Sequence, residues 1–126
     1  MVKMMFVENN TEKNLLDKNE VVLSIGLNEF EEKVFKEIKP VLLLCIQQDP
    51  EFQNHLRVIE DIYRTFAERV RIYLLEEDAL RIFMEKFAVK GTPTFLLFIN
   101  GNEKGRLLGQ TDSEELNHFL SRMLSP

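Results

Sequence analysis

Residues 91–109 read GTPTFLLFINGNEKGRLLG. Phe95 to Ile99 is an unbroken apolar run, short enough to be a strand and closed off by turn residues at each end. Asn100-Gly101 follows at once. Both central positions of a two-residue type I′ turn need positive φ, and Asn followed by Gly meets that need best. The chain is therefore expected to turn back on itself along about Glu103 to Leu108, stopping at Gly109.

The pattern extends in both directions. Upstream, Leu80, Phe83, Met84 and Phe87 lie at helical spacing. Before them, Val70, Ile72 and Leu74 alternate with Arg69, Arg71 and Tyr73 in the period of a strand over Val70 to Leu75. Phe52, Leu56, Ile59, Tyr63 and Phe66 mark a long amphipathic helix. Asp49-Pro50 opens it, since Asp caps helix starts and Pro suits the first helical position. Val41 to Ile46 is apolar throughout, as expected of a strand buried on both faces. Val21, Leu23 and Ile25 suggest a further strand. Asn28 is then read as the start of a helix, with Glu31 completing a capping box and Phe30, Val34 and Ile38 on its inner face. Downstream, Asp112 caps a last helix with Glu115 three residues on, and Leu116, Phe119, Leu120 and Met123 form its inner face.

The order is β-α-β-α-β-α-β-β-α, an α/β domain with a mixed central sheet and helices on both faces. Crossovers imply parallel neighbours, and the hairpin adds an antiparallel edge. The 126 residues, 44% of them hydrophobic, suit one core, which at this length buries roughly two-thirds of the unfolded surface. Residues 20–126 are read as this domain. Residues 1–19 are read as an extension that is loosely ordered or makes a short edge strand.

Sixteen Lys and Arg against 21 Asp and Glu leave a net charge of −5. That balance argues against a nucleic-acid or anionic-membrane binder, which would carry a basic patch. The opening MVKMMFVENN has an apolar stretch only from Met4 to Val7, where a secretory leader needs about 7–15 residues. The longest apolar run, Val41 to Ile46, falls far below the about 20 of a membrane span. The expectation is a soluble cytoplasmic protein, in keeping with a single cysteine, Cys45.

In its apolar strand VLLLCI feeding a long helix, its GTPTFLLFINGNEKGRLLG segment and its capped closing helix, the chain resembles a thioredoxin domain over roughly residues 20–125. The resemblance implies a thioredoxin-like fold and a cis Thr92–Pro93 bond. The family's chemistry needs a C-x-x-C pair at the start of the long helix, where the helix N-terminus favours a thiolate. Laid on this chain, those four positions are Pro50, Glu51, Phe52 and Gln53. Neither cysteine is there, Asp49 stands where the family carries an aromatic, and the buried acid of the preceding strand falls at Leu44. The resemblance thus implies a member unable to perform dithiol–disulfide exchange, not an enzyme of that kind, with no cofactor.

The leading reading is a redox-inactive interaction, chaperone or assembly module. It would hold an extended protein or peptide segment at the cis-Pro edge, through Gln47, Gln48, Asp49, Pro50, Thr92 and Pro93. The formal charges near that edge in the sequence are Asp49 and Glu51, so binding is expected to depend little on salt. A second reading is a single-thiol oxidoreductase or redox-regulated protein using Cys45, against a plain apolar Cys in a central strand. A third is a structural homodimer subunit; monomer and homodimer both stay open. His55 and His118 are 63 residues apart without ligand-spaced partners, so no metal is expected and both are read as surface or partly buried. Glu76-Glu77-Asp78 is read either as a site for a cation or basic partner or as acids favoured at a helix start. Phe52 is read either as part of an exposed rim or as the first residue of the buried stripe.

Overall fold

The structure is a computed structural model that describes residues 22–125. The extension expected over residues 1–19 and the strand residue Val21 lie outside the described residues. Five strands form one sheet in the order β1-β3-β2-β4-β5. They are β1 (Leu23–Ile25), β2 (Val41–Cys45), β3 (Arg71–Leu75), β4 (Thr94–Ile99) and β5 (Asn102–Leu108). The helices are α1 (Phe52–Phe66), α2 (Glu77–Lys86) and α3 (Ser113–Met123).

β3 lies between β1 and β2 and is parallel to both. The crossover rule stops there: β4 runs antiparallel to β2, with Cys45 opposite Thr94 and Val41 opposite Phe98. β5 is antiparallel to β4. The hairpin joining them is the one the sequence predicts, with φ of 53° at Asn100 and 80° at Gly101. A Cβ on Gly101 would also stand 2.7 Å from the Phe35 carbonyl oxygen, so a glycine is required on two counts. Between the pairs Phe98–Glu103 and Leu97–Gly105, Lys104 is an extra residue and makes a β-bulge.

Alternation along the strands divides the core in two. Leu42, Leu44, Ile72, Leu74, Phe95 and Leu97 face one side, where they meet Ile59, Ile62 and Phe66 of α1 and Leu116, Phe119 and Leu120 of α3. Val41, Leu43, Cys45, Tyr73, Leu75, Leu96 and Phe98 face the other, against Phe30, Val34 and the α2 residues Ala79, Leu80 and Phe83. The all-apolar character of β2 follows, because both its faces are covered. Phe83 and Phe87 stack at 4.4 Å, and Phe30 meets Phe35 edge to face at 4.9 Å.

The segment after β1 corrects the sequence reading. No helix starts at Asn28. A 3-10 turn spans Leu27–Glu29 and a π-helical stretch spans Glu31–Phe35. The reciprocal pair is Gly26 with Glu29: the Gly26 N–H donates to Glu29 Oε1 at 3.0 Å and the Glu29 N–H to the Gly26 carbonyl at 3.1 Å. Asn28 lies within the turn, so it cannot cap it. A Cβ on Gly26 would be 2.9 Å from Glu76 Oε1, so the Glu76 side chain would have to shift to admit one. The winding ends at Phe35, which takes Ile38 off the inner face and leaves it 85% exposed.

Candidate binding site at the carboxyl end of β2

β2 carries its last residue, Cys45, into the core and releases the chain at Ile46. Gln47, Gln48, Asp49 and Pro50 form the exposed link to α1. Asp49 Oδ1 accepts from the Glu51 N–H at 3.0 Å, and the Phe52 N–H donates to the Asp49 carbonyl at 2.9 Å. Pro50 and Glu51 form a hydrogen-bonded turn, and regular α1 geometry begins at Phe52. The carboxylate thus occupies one of the free N–H groups at the start of the helix, and Pro50 has none to offer. Glu51 in turn accepts from Asn54 Nδ2 at 2.8 Å, and Gln53 is exposed. Phe52 packs against the α1 side of the core, in keeping with its place in the stripe.

Opposite this link, the Thr92–Pro93 peptide, which is cis, leads into β4. Pro93 is buried, and its carbonyl accepts from the Gly109 N–H at 2.8 Å. Thr94 Oγ1 donates to the Gly91 carbonyl at 2.6 Å. The Thr92 hydroxyl donates to Gln47 Oε1 at 3.4 Å. Two residues 45 apart in sequence are thereby brought to one edge. Among the described residues, the N–H and C=O of Thr92 make no backbone hydrogen bond.

Two clefts flank Gln47-Gln48. One, of about 600 Å³, lies between Gln47 and α2. Leu80, Met84, Ala88 and Val89 make its apolar wall, while Glu77, Glu85, Arg81 and Lys90 supply its charges. The second, of about 430 Å³, places Gln48 beside Glu76, Glu77 and Asp78, with Ser24 and Ile46. This corrects the expectation that Asp49 and Glu51 are the formal charges near the edge. The parallel strands β2 and β3 end side by side, and β3 runs directly into the acidic start of α2. Glu77 and Asp78 do occupy the first turn of α2, where acids are favoured. They also face this site.

Cys45 is fully buried. Burial pushes its thiol from an ordinary 9.0 up to about 12, against a weaker opposing pull from the positive charge of Arg106. At neutral pH it is a thiol, not a nucleophilic thiolate. His55 is more buried than expected, at 6% exposure on the inner side of α1, while His118 is exposed on α3.

Arg106 went unmarked in the sequence. From β5 it donates Nε to Glu103 Oε2 at 2.6 Å and Nη2 to Glu103 Oε1 at 2.8 Å. It also donates to the carbonyls of Ala88 and Phe87, each at 3.0 Å. Ala88 has a φ of 56°. The Val89 N–H reaches the Met84 carbonyl and the Ala88 N–H the Glu85 carbonyl, the pattern of a Schellman helix end with alanine where glycine is usual. Arg106 thus ties the end of α2 to the sheet just ahead of the Thr92 loop.

The family model described as Thioredoxin matches residues 20–122. A thioredoxin from Acidithiobacillus ferridurans is similar at 26% identity over 107 residues, covering 84% of this chain and 99% of that protein.

Proposed function

The chain belongs to the thioredoxin family, and from that premise we propose that it is a redox-inactive member, an interaction or chaperone/assembly module that holds an extended protein segment along the Thr92–Pro93 edge. The observation that carries this reading is the backbone of Thr92. Its N–H and C=O, free of backbone partners among the described residues, offer a donor and an acceptor to a strand-like ligand. The hydroxyl–amide contact with Gln47 places a neutral polar group beside them. None of this needs a thiol.

The losses point the same way. Pro50 and Gln53 stand at the two cysteine positions of the family pattern. Asp49 has taken an N–H that would help to hold a thiolate. Cys45 is enclosed by the sheet, with its ionisation suppressed, which disfavours a single-thiol reaction.

The test is partner capture from native lysate by the immobilised folded chain, compared with a folded Thr92→Arg variant whose long side chain covers the edge. Loss of captured proteins with Thr92→Arg is the expected result. A set of captured proteins unchanged by that variant would place binding on another surface.

A further inference from the structure

Resting on the reading of the Thr92 edge as a strand-binding site, we infer that the segment it takes is cationic: an apolar side chain enters the α2 cleft, and Lys or Arg side chains beside it meet the acids around Gln47-Gln48. The shape comes from the cleft. Leu80, Met84 and Val89 give an apolar wall next to Gln47. On the other flank, Leu108 is 57% exposed, with its Cδ1 3.9 Å from where a Cβ on Gly91 would sit. Apolar surface therefore lies beside Gln47, which Thr92 touches, and beside Gly91, the residue before Thr92, where side chains of an extended ligand could reach it.

The charge comes from the rim. Glu76, Glu77, Asp78 and Glu85 line the two clefts, and Asp49 and Glu51 follow Gln48 in the exposed chain that leads into α1. Arg81 and Lys90 are the bases of these clefts, so their lining is acidic by four groups to two. Like charges brought to such a rim are rejected, and opposite charges are steered in.

The probes are three fluorescent nine-residue peptides with one common Val-Leu-Val centre, flanked by Lys and Arg, by Ser, or by Glu. Anisotropy titrations at about 20 mM and about 300 mM NaCl read the electrostatic part, since screening shortens from roughly 20 Å to below 6 Å over that range. The expected result is binding of the Lys/Arg peptide about tenfold tighter than the Glu peptide at low salt, with the gap closing at high salt. Glu77→Gln with Asp78→Asn should weaken the cationic peptide several-fold. Glu85→Gln should act in the same direction and, because an acid in the last turn of a helix is unfavourable, cannot unfold α2. Glu68→Gln, at the far end of α1, should change nothing. Thr92→Trp blocks the edge without altering charge and should abolish binding of all three peptides.

If the three peptides bind equally and Thr92→Trp abolishes them all, the cationic preference is overturned while the edge reading stands. If the Lys/Arg peptide binds as well to Thr92→Trp as to the parent chain, the edge reading fails and this inference fails with it. Absence of binding by every peptide overturns the inference.

Discussion

The Arg106 guanidinium on β5 donates to the carbonyl of Ala88, 18 residues away in sequence, at 3.0 Å. This contact closes a helix end that has no glycine and holds the chain that leads to Thr92. Arg106→Met should cost about 1–2 kcal/mol, because it leaves two carbonyls and the Glu103 carboxylate without a charged donor. Arg106→Lys should recover only part of this, since an ammonium lacks the planar fork that reaches both partners. Urea unfolding of the three chains provides the comparison, and equal midpoints would show that the strap contributes nothing.

Ala88 holds a positive φ that its Cβ disfavours. Ala88→Gly should stabilise the fold by about 0.5–1 kcal/mol, the relief of strain exceeding the added freedom of the unfolded chain. A lower thermal midpoint for Ala88→Gly would contradict this account of the α2 end.

Asp49→Ala should cost about 1 kcal/mol through loss of the bond to the Glu51 N–H. The parent chain should not accelerate insulin-disulfide reduction by dithiothreitol. Pro50→Cys with Gln53→Cys should give weak activity at most, and adding Asp49→Ala to that pair should raise it, by returning the helix N-terminus to the thiolate. A Pro50→Cys/Gln53→Cys chain already as active as an ordinary thioredoxin would sink the argument about Asp49.

Cys45 gives a pH dependence of defined sign. Its thiol ionises near 9.0 when exposed and at about 12 in the fold, so the unfolded chain loses this proton first as pH rises. Stability present below pH 9.0 should fall between 9.0 and about 12, by up to about 1.4 kcal/mol per pH unit. Tyr73, raised from 10.0 by burial and then by the negative charge of Glu37, adds a fall of the same sign. Cys45→Ala should flatten the slope, whatever its cost at neutral pH. Thiol labelling at pH 8 should be slow and be accelerated by denaturant; rapid labelling of the native chain would contradict the burial.

What could be read from the sequence was local. Asn100-Gly101 specified its turn because two positive φ values admit few residue pairs. Val41 to Ile46 declared a strand covered on both faces because no polar residue interrupts it. Asp112 declared its helix, and the Glu115 N–H does donate to its carboxylate at 2.8 Å. The failures lie where several polar residues compete or where contacts span the fold. Near the first turn, Gly26–Glu29 and Asn28–Glu31 both fit a spacing of three, and the hydrogen bonds form at the former, a choice that spacing alone does not make. The end of α2 was obscured because alanine occupies the left-handed position. The antiparallel entry of β4 is a matter of strand direction, which periodicity does not encode. At the site, the grouping of Gln47 with Thr92 at one edge came from the family resemblance; the hydrogen bond between them was not legible. Nor was the approach of Glu76, Glu77 and Asp78 to Gln48, because it depends on the lateral order of β2 and β3.

The extra residue at Lys104 has a bearing on self-association. β5 borders the sheet on one side, with a row of outward amides that a strand from a second copy could continue. The bulge sets that row out of step, and an incoming strand would have to bury Lys104 beside the Glu103–Arg106 pair. Sheet-to-sheet growth from this border is therefore obstructed at its midpoint, and concentrated solutions of the folded chain should resist fibre formation there.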